Sequence, residues 1–148
     1  MTIRLAKLDD LDVIKACAYS AYELYVPRLG HKPAPMIADY EDQITQKTLH
    51  VLEDNNKVVG FIVFYPKDGY IHIDNIAIPP DLQRHGYGSK LIEYAEQQAK
   101  ALGLHKVELF INEKMTENIE YYPSRGYTEF ARMKEDGLER IFYRKEFK

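Results

Sequence analysis

QRHGYGSKLIEYAEQQAKALG, residues 83–103, decides how this chain is read. Gly86 and Gly88 stand two residues apart, and a helical pattern starts directly behind them. Leu91, Ile92, Ala95, Ala99 and Leu102 form its apolar stripe. That spacing predicts a helix over 86–102, closed by Gly103 as its C-terminal cap. The first N–H groups of a helix have no partner inside it and carry the positive end of its dipole. Glycine there permits positive φ and lets a ligand reach the backbone. Phosphate oxygens suit such a setting, and Arg84, His85 and Lys90 would add charge. A tight turn made by two glycines is the plainer reading of the same residues.

Working outward, YIHIDNIAI (70–78) reads as the strand before this helix, stopped by Pro79-Pro80. KVELFIN (106–112) is the strand after it. Strand, helix, strand implies a parallel pair joined by a right-handed crossover. Upstream, TLHVLED (48–54) and KVVGFIVFYP (57–66) flank the turn Asp54-Asn55-Asn56, and Lys67-Asp68-Gly69 makes the next turn. These strands form an antiparallel meander with 70–78. TIRLA (2–6) is a short strand, and a helix follows from Asp9 or Asp10 with Leu11, Ile14, Ala18 and Ala21 at helical spacing. VPRLGHKPAP (26–35) should break that helix. A second helix is predicted over 35–46, with Met36, Tyr40 and Ile44 four apart. A late helix spans 115–124. YTEFARM (127–133) and LERIFYRKEF (138–147) then form a hairpin about Glu135-Asp136-Gly137. The fold class is α/β (α+β): one mixed, mostly antiparallel sheet of about seven strands, flanked by about four helices.

The chain has 148 residues, suiting a single domain over 1–148. A net charge of −3 gives no support to a nucleic-acid partner. Cys17 is the sole cysteine, so no internal disulfide forms, and it falls within the first helical stripe. No apolar run suits a signal peptide or a membrane span, so a cytoplasmic protein with no membrane partner is expected. No metal is expected. Twelve tyrosines without tryptophan suit pocket walls or a half-buried sheet.

Two phosphate motifs fail here. A P-loop needs Gly-Lys-Ser/Thr, but Gly88 is followed by Ser89-Lys90. A dinucleotide fingerprint needs a third glycine where Leu91 stands. Gln83-Arg84-His85-Gly86-Tyr87-Gly88 does fit Gln/Arg-x-x-Gly-x-Gly/Ala behind a strand ending in NIAIPP. That pattern resembles motif A of the GNAT N-acetyltransferase family. ENIEYYPSRGY (117–127) resembles the family's late helix, with its Asn and its Tyr-x-x-x-Gly-Phe/Tyr ending. The element order agrees, so the resemblance covers essentially the full length. It implies a GNAT-like acyl-CoA N-acyltransferase fold whose fourth and fifth strands splay apart.

The resemblance further implies transfer of an acetyl group from the cosubstrate acetyl-CoA to a primary amine, through a tetrahedral intermediate. Backbone N–H groups of Arg84, His85, Gly86, Tyr87, Gly88 and Ser89 would cradle the pyrophosphate, with Gln83 opening the motif. Pantetheine would lie between 70–78 and 106–112, paired with backbone near Ile76, Ala77 and Ile78. Asn112 and Asn118 would also face it. A backbone N–H near 76–78 would polarise the thioester carbonyl. Tyr122 matches the tyrosine that protonates the departing thiolate, and a phenol with pKa about 10 can donate at neutral pH. Its neighbour Tyr121 is expected in packing.

The attacking amine must be neutral. Asp74 is the candidate base, because a carboxylate amid an apolar strand needs a reason when burial is costly. His72 shares its strand face. The two form either a base pair of groups or a structural pair, and a water path needs neither. Substrate choice is expected on the first helices. There Tyr22 and Tyr25 share a face and could wall a pocket for a cation, or simply pack. Arg28 could read a substrate carboxylate or form a surface ion pair. The expected acceptor is a small-molecule amine. A protein N-terminus or lysine is the alternative, as is a non-catalytic acyl-CoA sensor. The 135–137 hairpin could extend to a second copy as a homodimer.

Overall fold

The computed structural model describes residues 1–135 and 137–147. Seven strands make one sheet in the order β1-β2-β3-β4-β5-β7-β6. They are β1 (Thr2–Leu5), β2 (Leu49–Asp54), β3 (Lys57–Lys67), β4 (Tyr70–Ala77), β5 (Lys106–Asn112), β6 (Thr128–Glu135) and β7 (Leu138–Glu146). Asn55 and Asn56, at φ 52° and 63°, turn β2 into β3. That pair of left-handed residues matches the twist of a hairpin. Asp136 of the β6–β7 turn lies outside the described residues.

The helices are α1 (Leu11–Tyr22), α2 (Val26–Leu29), α3 (Tyr40–Thr45), α4 (Tyr87–Ala101) and α5 (Thr116–Ser124). Helical backbone runs past the expected break. A 3-10 turn at Glu23–Tyr25 leads into α2, and Gly30 at φ 79° ends it. Pro27 is tolerated because it sits at the start of α2, where a missing N–H costs nothing. The second helix is shorter than predicted. Asp39 accepts from the Asp42 N–H at 3.0 Å and starts α3 there, leaving Met36 in a separate 3-10 turn. In α4 the stripe Leu91, Ile92, Ala95 and Ala99 is buried, but Leu102 is 59% exposed. The helix has ended by then, and Gly103 turns the chain at φ 75°.

Both faces of the sheet are covered. α4 packs with Ile62, Phe64, Ile71, Ile73 and Leu109 on one side. α1 and α3 pack with Val51, Phe61, Val63 and Ala77 on the other. β4 changes its allegiance midway, because Phe64 pairs with Ile73 while Val63 pairs with Asn75. Asp74 is the extra residue of a β-bulge, which shifts the alternation beyond it. The parallel pairing of β4 with β5 holds only at Ile71–Val107 and His72–Glu108. Past these pairs the two strands diverge, and the gap opens toward the start of α4. Among the described residues no helix is long and apolar enough to cross a membrane.

Candidate active site

A cleft of about 990 Å³ occupies the gap between β4 and β5 and reaches the N-terminus of α4. At its glycine end, Gly86 caps α4 at φ 79°. Lys90 N–H donates to Gly86 at 3.1 Å, so the N–H groups of Tyr87, Gly88 and Ser89 stand ahead of the first intrahelical bond. A methyl group on Gly86 would meet nothing within 4 Å, and on Gly88 only the Tyr121 hydroxyl at 4.0 Å. The backbone is therefore open to a ligand at both positions. Arg84 adopts φ 69°, a left-handed conformation unusual for its type. Gln83 Nε2 donates to the Ile78 carbonyl at 3.0 Å and fastens the loop to the end of β4. His85 stacks on Tyr87 with ring centres 5.5 Å apart, and its Nδ1 lies 3.0 Å from the Leu82 carbonyl. Its imidazole serves the loop and does not line the cleft.

The middle of the cleft is apolar, walled by Ile73, Ile76, Ile78, Leu109 and Ile111. Ala77 is turned away into the α1 core, and the Cys17 thiol lies 3.5 Å from its carbonyl. Tyr122 lines this part, yet is only 8% exposed. Its ring packs against Tyr121, Tyr127 and Tyr143 at 5.3, 5.8 and 6.1 Å. Burial pushes its phenol pKa well above the ordinary value, with Tyr121 and Tyr25 adding to the shift. Tyr121 packs against the core as expected, and it does more than pack. It lines the cleft, and its hydroxyl lies 3.0 Å from Ser89 Oγ.

The other end is built by α1, α2, the bulge and α5. Tyr22 Oη lies 2.5 Å from Asn75 Oδ1 and 2.8 Å from the Ile76 carbonyl. Asn75 Nδ2 in turn donates to Tyr40 Oη at 2.9 Å, and Tyr40 donates to the Pro35 carbonyl. Tyr22 thus lines the cleft with its hydroxyl already committed. Arg28 does not present a free guanidinium. It binds Glu117 at 2.7 Å, and Tyr25 Oη donates to the same carboxylate at 3.0 Å. Burial alone would raise the Glu117 pKa, but these bonds and one from Thr116 hold it below the usual value. Asn112 Oδ1 accepts from the Lys114 N–H at 2.9 Å, making the turn into α5, and Asn112 and Asn118 both line the cleft.

Asp74 departs from its expectation. The bulge turns it out of the core and onto the cleft wall, and its side chain is 38% exposed rather than buried. His72 is the buried member, packed between Tyr65 and Phe110, with Nε2 at 3.7 Å from Asp74 Oδ1. Asn75, Phe110, Glu117 and Arg140 also line the cleft and were not anticipated. Asn75 left a trace, as a second polar residue in an apolar strand. The others depend on contacts across the sheet. Among the described residues no group of His, Cys, Asp and Glu could hold a metal ion.

Comparison with known proteins follows the same lines. A sequence profile of the Acetyltransferase (GNAT) family matches residues 18–127. An uncharacterized N-acetyltransferase of Methanocaldococcus jannaschii is 28% identical over 138 residues, covering 86% of this chain. The chain spans 61% of that relative's length. The PaiA N-acetyltransferase of Thermoplasma acidophilum, solved with coenzyme A, superposes at a TM-score of 0.77 with 14% identity, covering 99% of this chain and 98% of that one. The ribosomal-protein-alanine N-acetyltransferase of Brucella melitensis superposes at 0.74 with 19% identity, covering 99% and 100%. At such identities the structural likeness speaks for the fold.

Proposed function

We propose that this chain, which belongs to the acetyltransferase (GNAT) family, transfers the acetyl group of acetyl-CoA to the primary amine of a small molecule. One observation carries the reading. A single cleft runs from the glycine-opened start of α4, between diverging β4 and β5, to the phenol of Tyr122. The residues fit the cosubstrate. Bare backbone at Gly86 and Gly88 suits a pyrophosphate, and the apolar walls suit a pantetheine arm. The coenzyme A held by the Thermoplasma relative supports this assignment.

In this reading the N–H groups of Tyr87, Gly88 and Ser89 hold phosphate oxygens. Backbone near Ile76 and Ile78 orients the thioester. The neutral amine attacks the thioester carbonyl carbon, a C–N bond forms, and the C–S bond breaks. Tyr122 gives its proton to the departing thiolate, and the amine's proton passes to water. The Arg28–Glu117 bond joins α2 to α5 across the acceptor end, which favours a small acceptor over an extended peptide. The test is thiol release from acetyl-CoA across an amine panel, with calorimetry for binding. Binding without release for every amine would instead favour an acyl-CoA sensor. Release only with peptides would favour the protein-acceptor reading.

A further inference from the structure

The acceptor end of the cleft holds one charge that the chain leaves uncommitted. Arg28 is taken by Glu117 at 2.7 Å. Arg140, on the opposite wall, is held by Glu135 at 2.7 Å and lies over the Phe110 ring at 4.7 Å. Asp74 is different. The bulge turns its carboxylate toward the cleft, and its nearest basic group, His72 Nε2, is at 3.7 Å, beyond a hydrogen bond. Among the described residues no donor of the chain reaches that carboxylate.

This imbalance selects the acceptor's chemistry. A carboxylate-bearing acceptor would meet arginines whose charge Glu117 and Glu135 already balance, and would be repelled by Asp74. A cation meets a carboxylate that no donor of the described chain bonds, in a cleft that the Tyr22 ring also lines, while the Tyr25 ring already carries Arg28 at 5.2 Å. The attacking nitrogen, however, must be uncharged when it reacts, so it gains little from a fixed anion. The charge that Asp74 serves belongs to a second group. Resting on the acetyl-transfer reading, we propose that the acceptor is an alkyl diamine or longer polyamine. One amine is acetylated while another, protonated, sits on Asp74. The attacking amine loses one proton to solvent, the thiolate takes the Tyr122 proton, and the second ammonium keeps its own.

The experiment compares 1,4-diaminobutane, spermidine, butylamine and lysine as acceptors for the wild type and for Asp74→Asn, with acetyl-CoA affinity measured by calorimetry. The expected result is a kcat/KM about tenfold higher for the diamine than for butylamine, carried mainly by KM. In Asp74→Asn that preference collapses to near unity while acetyl-CoA binds as before. Equal rates for diamine and monoamine, a preference for lysine, or a preference that survives Asp74→Asn would overturn the proposal and leave acetyl transfer standing. A uniform fall in kcat for all amines in Asp74→Asn would make Asp74 a base and overturn it too. Normal acetyl-CoA binding with no thiol release from any amine would overturn both readings together.

Discussion

At the scale of single residues, the two adjacent tyrosines divide between them the α4 end of the cleft and its buried middle. Tyr121 reaches Ser89 at 3.0 Å, while Tyr122 is buried among tyrosine rings. Burial raises the Tyr122 phenol pKa, which favours its neutral, proton-bearing form. If Tyr122 is the acid proposed, it stays loaded to pH values above those of an ordinary phenol. A profile of kcat between pH 6 and 9 should show no falling limb from loss of this proton. Tyr122→Phe should lower kcat by about a hundredfold and leave acetyl-CoA affinity unchanged, read by thiol release and calorimetry. An undiminished kcat would remove Tyr122 from the chemistry. The places of the glycine motif and of Tyr122 at the cleft were legible because each lies within a local stretch of chain. The partners of Arg28 and Tyr22 were not. Arg28 meets Glu117 across 89 positions and Tyr22 meets Asn75 across 53, and no local pattern signals such pairs.

At the scale of elements, periodicity fixed strands and helices well and failed where backbone irregularity intervened. The bulge at Asp74 swaps which sheet face the odd-numbered residues of β4 present, so Asp74 is exposed within an otherwise apolar strand while Asn75 is buried. Asp39 shortened α3 by capping it late. A further close contact sits where β3 runs alongside the end of β4. A methyl group on Gly60 would lie 2.2 Å from Ile78 Cδ1 and 2.9 Å from the Ala77 carbonyl. The Ile78 side chain can swing aside, but the carbonyl can move only with β4. Gly60→Ala should therefore cost about 1–3 kcal/mol and lower Tm by about 2–10 °C. Because Ile78 lines the cleft, acetyl-CoA binding should weaken with it. A wild-type Tm and affinity would show that β4 is free to yield.

The first strand is tied down electrostatically. Arg4 bonds Asp10 at 2.8 and 3.0 Å and also reaches Glu53. The Arg4 hydrogen bonds, helped by the Lys7 N–H and opposed by burial, hold the Asp10 pKa below its ordinary value. A lowered folded-state pKa stabilises the protein above the unfolded value, about 3.9, and that contribution is lost as pH falls through the folded value. Melting from pH 7 to pH 2 should show Tm falling below about pH 4. Asp10→Asn should begin a few degrees lower at pH 7 and lose less over the acid range. Parallel curves for the two proteins would place the acid sensitivity elsewhere.

At the scale of the whole molecule, the cleft is a gap in an otherwise continuous sheet. β4 and β5 share only two paired positions, so the two halves are joined there by few backbone bonds. Packing of α4 against β3, β4 and β5 holds them together from one side. The α1–α2 segment closes the other side through Tyr22 on β4 and through Tyr25 and Arg28 on α5. A ligand lying between the strands would supply the missing cross-links and bind the folded chain alone. Its effect follows from mass action: at a concentration 100 times Kd it adds about 2.7 kcal/mol. For a chain of 148 residues that corresponds to a rise in Tm of about 5–11 °C. Coenzyme A and acetyl-CoA should both give this rise, because the proposed site would hold the pyrophosphate and pantetheine that they share. Adenosine alone should give little. Hydrogen exchange should slow most in the diverging ends of β4 and β5 and at the first turn of α4. Protection confined to α4 would mean that phosphate recognition is intact but the arm does not enter the gap. A Tm indifferent to coenzyme A would sink the assignment of the cleft itself.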